Sequence, residues 1–365
     1  MSAEEQSHRG EGALSEHDTS VSSGPASSVA GAAQQGATSE RLPFASQAPR
    51  WLGDARIIGI AAFVLIVLVI ILTRGLHDVA QATVAGLVTG AYFALGAIGL
   101  SIVYGTLRLP NFAHGDFLTF GVYMAFWAST AGLPILMAAA IGILLTAALG
   151  VVSELTLWRP MRAKRASLFQ LILITIGLSF LIRNTIQFVW GGQPQSLAVD
   201  VTTSVGFLGL YVGKTELIAT IIGFVVIVLV ALMLRFTSLG KQMRALADNY
   251  DLAEATGIDT DRIIIITWIF AGGLAGLAGI LYGASIGQLT PSLGTLLLLS
   301  LFGAVVLGGI GNAYGALVGG ILLGLAQEWS VLYVDSRWKI AVGFVALIVT
   351  LIIRPQGIFG AERGI

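Results

Sequence analysis

From residue 51 onward the chain alternates long apolar runs with short polar ones. The runs fall at 57–72, 79–104, 117–130, 134–157, 168–189, 217–235, 263–286, 293–310, 315–332 and 338–353. About 20 apolar residues cross the hydrocarbon of a bilayer, and a helix satisfies its backbone there without help, so each run predicts a membrane helix. The run 117–130 and the glycine-rich pair meeting near Gly311 are too short to span unaided, which predicts re-entrant helices or helices covered by neighbours. The expected fold class is an all-α polytopic membrane protein, a bundle of roughly eight to ten transmembrane or re-entrant helices.

Two polar stretches depart from this pattern. Residues 1–50 are rich in Ser, Ala, Gly, Glu and Gln with almost no aromatics, so they bury too little apolar surface to offset ordering entropy; a disordered N-terminal tail is expected. It does not read as a secretory signal, whose apolar core sits much closer to the start. Everything from 51 to 365 reads as one transmembrane domain. Within it, residues 235–262 form a polar island, TSLGKQMRALADNYDLAEATGIDTDR in its main part, too long for a turn and of mixed charge, which predicts a docking surface.

Composition sharpens the class. Hydrophobic residues make up 56% of the chain and charged residues 11%, with a mean hydropathy of +0.86, values no single aqueous core accommodates. The absence of cysteine removes disulfides, thiolate metal sites and cysteine nucleophiles. The total charge of zero says little, but its distribution orients the chain. Arg159, Arg162, Lys164 and Arg165 crowd one acid-free loop, which predicts a cytoplasmic position. Alternation then places both termini and the island on that side, and residues 190–214 outside.

Packing is announced by 46 glycines, with small-xxx-small pairs at Gly86 and Gly90, Gly272 and Gly276, Gly279 and Gly283, Gly311 and Gly315, and Gly320 and Gly324. Polar groups inside the membrane need individual reasons. Thr175, Ser179, Arg183 and Gln187 recur every four residues and so share one helix face, read either as an interhelical hydrogen-bond stripe or as a wet wall of a translocation path. The run LPNFAHGDF, 109–117, interrupts two apolar segments with Asn111, His114 and Asp116; it reads as a structural turn or as part of a gate or substrate path. Metal chemistry lacks support, since only His77 and His114 lie outside the tail and no HExxH occurs. A second break, GGIGNAYG at 308–315, shares a glycine-flanked asparagine, Asn312, a faint hint of an internal repeat. Gly213-Lys214-Thr215 mimics the end of a phosphate loop, but Leu208 stands where its first glycine belongs. With no nucleotide site in the chain, ATP-driven transport would need another polypeptide.

The stretch GLVTGAYFALGAIGLSIVYGTLRLPNFAHGDFLTFGVYMAF, 86–126, resembles the leading signature of ABC-importer inner-membrane permeases of the branched-chain amino acid type. The likeness continues through WRPMR, GGQPQSL, GKQMRALADNYDLAEATGIDTDR, GGLAGLAGILYG, GAVVLGGIGNAYGALVGG and RPQGIFG, and covers nearly everything after the tail. It implies a multi-pass permease subunit of the inner cell membrane, with cytoplasmic termini, importing a small amino acid of the branched-chain class by alternating access. Its implied partners are a second homologous permease, cytoplasmic ATP-binding subunits and an extracytoplasmic solute-binding protein, besides membrane lipid. No cofactor, metal, nucleic acid or catalytic residue is implied.

The resemblance also assigns residues. A coupling helix within 242–255, closed by Gly257, would meet the ATPase through Arg244, Leu246, Asp248, Leu252, Ala253, Glu254 and Gly257, with Leu246, Leu252 and Ala253 as apolar anchors. The family's EAA-like element is degenerate here, AEATG at 253–257. The path or gate would use Asn111, His114, Asp116, Thr175, Ser179, Arg183 and Asn312. Similar permeases handle urea, short amides or other amino acids. An ion-coupled secondary transporter remains the other class, with Asp116, Glu154 and Glu328 as its candidate carboxylates; a membrane enzyme would need a nucleophile or metal constellation that the sequence lacks.

Overall fold

The computed structural model describes residues 55–359; the expected tail at 1–50 lies outside them. Of the stretch up to Phe63, the described part is the first turns of helix α1, Ala55–Arg74. From Val64 onward a helical bundle follows, through α2 (Leu76–Leu107), α3 (His114–Thr130) and α4 (Ile135–Ser153). Helix α4 runs through a π-turn, Glu154–Trp158, into α5 (Arg159–Ala163), and α6 (Leu168–Trp190) comes next. A hairpin, β1 (Ser204–Phe207) and β2 (Leu210–Gly213), leads into α7 (Lys214–Phe236). Two short helices, α8 (Ser238–Asp248) and α9 (Tyr250–Ala255), precede α10 (Thr260–Ile286), α11 (Leu293–Gly308), α12 (Ala313–Ser330) and α13 (Lys339–Ile353).

Every apolar run found in the sequence is one of these helices, displaced by only a few residues at its ends. Among the described residues six helical stretches are long and apolar enough to cross a membrane, seven if the pair α11–α12, bent by 119°, is counted as one broken span. The short helix α3 starts deep inside the bundle, as described below. The chain is an all-α polytopic membrane protein.

The helices fall into an inner and an outer set. The most apolar window of α2 is 89% buried, whereas that of α13 is 11% buried. A helix apolar on all sides belongs at the centre, and this is where α2 lies, between α10, α12 and α7. Phe188, Leu136 and Ile352 stand out from the surface, as side chains facing lipid do. The predicted glycine pairs of α2 and α12 meet each other: a Cβ on Gly324 would lie 2.4 Å from the Gly90 nitrogen, and one on Gly320 2.5 Å from that of Ala94. Two backbones therefore touch where any side chain would hold them apart.

Contacts also sort the loops by end. At one end Arg159 pairs with Asp261, Arg108 donates to the Ala247 carbonyl at 2.9 Å, and Ile358 and Phe359 N–H bond to Leu307 and Gly308 carbonyls. Among the described residues, the loops carrying Arg108, Arg159 and the C-terminal segment gather there. At the other end Gln81 holds Tyr211 through both backbone groups, at 2.7 and 3.0 Å. The hairpin at that end was read from sequence only as loop. Its turn, Leu208-Gly209, has positive φ at both residues (54° and 82°), the geometry that matches strand twist.

Candidate functional site

The break between α2 and α3 is built from its asparagine upward. Arg108 ends α2 in the left-handed region at φ 53°, and the chain turns back into the bundle. Asn111 Oδ1 accepts the Ala113 N–H at 3.0 Å and its carbonyl accepts the His114 N–H at 3.2 Å, so the asparagine folds the turn that starts α3. His114, fully enclosed, donates from Nε2 to the Gly96 carbonyl at 2.9 Å. Gly96 lies roughly three turns, about 16 Å, short of the end of α2, so α3 begins in the interior of the bundle.

A second helix starts beside it. A Cβ on Gly294 would sit 1.7 Å from the Gly115 carbonyl oxygen, and Gly294 N–H donates to Thr119 Oγ1 at 2.8 Å. Between these two helix starts lies Asp116, with no exposed surface. Its carboxylate accepts from Ser179 Oγ, from Arg183 Nε at 3.2 Å and Nη2 at 3.3 Å, and from Thr295 Oγ1 at 3.2 Å. The stripe seen on α6 thus ends on an ion pair joining α3, α6 and α11. Thr175 is buried but bonds back to the Ile172 carbonyl at 2.7 Å, and Gln187 is exposed, so only Ser179 and Arg183 of the stripe serve the cluster. With its lone pairs occupied by charged and neutral donors, Asp116 ties three helices together.

Asn312 belongs elsewhere. It caps α12, its Oδ1 accepting from Tyr314 N–H at 3.0 Å and Gly315 N–H at 3.1 Å, while Nδ2 donates to the Phe359 carbonyl at 3.3 Å. That places it at the far end of α11 from Thr295, beside Arg108 and the C-terminal segment. The structure does not bring it together with Asp116.

The polar island folds as two helices where the sequence reading expected one. Asn249, extended at φ −154°, interrupts it and caps α9 by accepting Leu252 N–H at 3.0 Å. Gly257, at φ 86°, closes α9: its N–H reaches the Glu254 carbonyl at 2.9 Å and Ile258 N–H the Ala253 carbonyl at 3.2 Å, both bonds of a Schellman motif. Asp248, Leu252 and Glu254 are exposed. Leu246 and Ala253 are not: at 2% and 3% exposure they pack into the chain's own bundle, because the amphipathic face of α8 and α9 has to be buried first by the helices they lie on. Of the three expected apolar anchors only Leu252 points outward. Arg244 donates to the Leu234 carbonyl, which fixes α8 to the end of α7.

A buried cluster escaped the sequence reading as a cluster. Glu154, in the π-turn, accepts from Arg162 Nη1 at 3.1 Å and from Trp268 Nε1 at 2.8 Å, and the Trp158 ring stacks on Trp268 at 6.1 Å. It braces the basic loop against α10. The extra residue of a π-turn shifts side-chain spacing, so helical periodicity alone does not pair Glu154 with Arg162. Glu328 is likewise paired, with Lys339 Nζ at 2.7 and 2.8 Å from its two oxygens. Among the described residues no group of acids and histidines is arranged to hold a metal.

Comparison with known proteins follows the same pattern. The family model described as branched-chain amino acid transport system / permease component matches residues 82–352. The high-affinity branched-chain amino acid transport system permease protein LivH of Escherichia coli is 31% identical over 295 residues, covering 75% of this chain and 93% of the relative. The corresponding protein BraD of Pseudomonas aeruginosa is 32% identical over 294 residues, 77% of this chain and 95% of its own length. The ribose import permease protein RbsC of Escherichia coli is 28% identical over 272 residues, 71% of this chain and 81% of the relative. No solved structure matches the chain.

Proposed function

The chain belongs to the branched-chain amino acid transport permease family, and we propose that it is the membrane subunit of an ATP-driven importer that carries a branched-chain amino acid. The observation that carries the ATP-driven reading is the α8–α9 module. It is capped at Asn249, closed at Gly257 and seated on the bundle through Leu246 and Ala253, and it presents Leu252 and Glu254 outward. A rigid, seated element with charged and apolar tips transmits displacement in a way that a solvated loop does not. Cytoplasmic ATP-binding subunits would push on it, a second homologous permease would complete the path, and an extracytoplasmic solute-binding protein would deliver the substrate. Asp116, near the interior start of α3, and Arg183 on α6 would set the wall of that path.

The ion-coupled alternative needs a carboxylate free to take up and release the coupling ion. Asp116, Glu154 and Glu328, its three candidates, are each held by a cation, Arg183, Arg162 and Lys339. The orientation we propose puts both termini, the 159–165 loop and 235–262 in the cytoplasm, and 190–214 outside. Single cysteines in this cysteine-free chain test it: Ala163→Cys and Asp248→Cys should resist an impermeant thiol reagent in intact cells, and Ser196→Cys should react.

Reconstitution with the ATP-binding subunits and the binding protein tests the function directly. Leucine uptake should require ATP and should persist when ion gradients are collapsed. Uptake of ribose instead of leucine would move the substrate toward that of the ribose relative. In the same assay Gly257→Val should strain the α9 closure by about 1–2 kcal/mol and uncouple ATP hydrolysis from uptake with insertion unchanged; normal uptake at normal expression would remove α8–α9 from the coupling role.

A further inference from the structure

At the end of the bundle that carries the basic loops lies a cavity of 640 Å³, between the ends of α2 and α7, helix α8, the α11–α12 bend and the C-terminal segment. Its size falls within the roughly 300–1,000 Å³ typical of small-molecule sites. Arg108 and Arg244 line it together with Asp248, and Ile102, Leu234 and Met243 add apolar wall. No ion pair joins these three charges to one another or to any other described residue. Each arginine spends one nitrogen on a backbone carbonyl, Arg108 on Ala247 and Arg244 on Leu234, which fixes its guanidinium and leaves its other donors free.

Arg108 stands at φ 53°, a position that glycine fills without steric cost and that a long side chain rarely takes. The left-handed turn ends α2 and sets Arg108 in the cavity wall. Fixed cations, an unpaired carboxylate and an apolar wall in one cavity match a free α-amino acid: carboxylate to the arginines, ammonium to Asp248, aliphatic side chain to Ile102, Leu234 and Met243.

We propose that this cavity is a second binding site, for cytoplasmic α-amino acid with an aliphatic side chain, and that its occupation brakes import. Bound there, the ligand would link α8 to Arg108 and to the bend at Asn312, holding the coupling module against the bundle. Accumulated product would slow its own uptake. The inference rests on the proposed substrate class and orientation.

Gln356, exposed at the rim, supplies the probe. In inside-out vesicles holding the full complex, Gln356→Cys should be labelled by a thiol reagent. L-leucine at ten times its dissociation constant should slow the labelling about tenfold. Isopentylamine, which lacks the carboxylate, and 4-methylpentanoate, which lacks the ammonium, should not. Adding Arg108→Gln should abolish the protection. No protection by leucine, or equal protection by all three compounds, overturns the site.

The brake is read separately, as the ratio of uptake with and without luminal leucine in proteoliposomes, each variant against itself. The ratio should fall well below one in the native chain and return to one in Arg108→Gln; a ratio of one in the native chain overturns the regulatory role. Absence of any leucine uptake would instead count against the proposed substrate, while the labelling result still decides the site.

Discussion

The α2–α3 and α11–α12 breaks use the same local device in opposite surroundings. Asn111 and Asn312 each turn their side-chain oxygen onto backbone N–H groups a few residues ahead and start a helix that opens on glycine. Asn111 is fully buried, and the helix it starts is tied by His114 to Gly96 and by Asp116 to Arg183, Ser179 and Thr295. Asn312 is half-exposed at the rim of a charged cavity and ties only the C-terminal segment, through Phe359. The difference lies in what surrounds the turn. Inside the bundle an unmade polar bond has no water to fall back on, so side-chain ties, an ion pair among them, gather on the first break, although Asn111 Nδ2 has no partner; at the end of the bundle water substitutes, and the second break is held by backbone bonds from Ile358 and Phe359 and by close glycine packing. We infer that the first acts as an anchor and the second as a joint.

Removing a partner from the anchor is the most disruptive test. Arg183→Leu leaves the Asp116 carboxylate buried and uncompensated, and should cost about 3–5 kcal/mol, read as a lowered unfolding midpoint of the purified complex. The double variant Arg183→Leu with Asp116→Leu should recover most of that loss, since two apolar groups need no partners. A single variant as stable as the native chain would show that the pair anchors nothing.

Smaller changes within the same break separate its roles. Asn111→Leu strands the Ala113 N–H at about 1–3 kcal/mol, while His114→Leu removes the extra bond to the Gly96 carbonyl at about 0.5–1.5 kcal/mol, and uptake should fall with the complex still assembled. His114→Gln keeps a donor and should retain uptake. Its loss with assembly intact would mean that the proton itself matters, and would revive ion coupling.

The joint should feel its asparagine less. Asn312→Ala removes a helix cap at about 1 kcal/mol, with stability nearly unchanged. Its effect should appear in transport instead, as altered coupling of ATP hydrolysis to uptake. If Asn312→Ala destabilises as much as Asn111→Leu, the two breaks are not distinct in kind.

The sequence disclosed the helices and the identity of both breaks because hydrophobic run length and glycine spacing are local properties. It also showed that Thr175, Ser179 and Arg183 share a face. What it left open was long-range: the partner of Arg183 is Asp116, on another helix, and no periodicity spans that separation. The burial of Leu246 and Ala253 was hidden for a related reason, since an amphipathic face looks the same whether its own bundle or a partner covers it. The break at Asn249 was legible in principle, because asparagine is a preferred N-cap residue, but the run of helix formers around it masked the signal.

The mildest test carries the comparison out of the membrane. At the hairpin end Asp200 performs the same capping with a carboxylate: Oδ1 accepts Thr202 N–H at 2.9 Å, Thr202 Oγ1 at 2.8 Å and Thr203 N–H at 3.1 Å, and Oδ2 accepts from Thr203 Oγ1. These bonds, the Thr203 hydroxyl first, hold its pKa below the ordinary carboxylate range. A depressed pKa in the folded state contributes stability above the unfolded value, about 3.9 for aspartate, and loses it as pH falls through the folded value. Protection of the 200–204 backbone amides from hydrogen exchange, corrected for the intrinsic pH dependence, should therefore stay constant from neutral pH to about pH 5 and fall only in stronger acid. Because the loop is open to water, Asp200→Asn should change that protection slightly at neutral pH and remove its acid dependence, while leaving uptake untouched. A loss of protection already between pH 7 and 5 would mean that a different group holds the turn. A large loss of uptake in Asp200→Asn would mean that capping at the hairpin end is an anchor as well, and that burial is not what separates the two breaks.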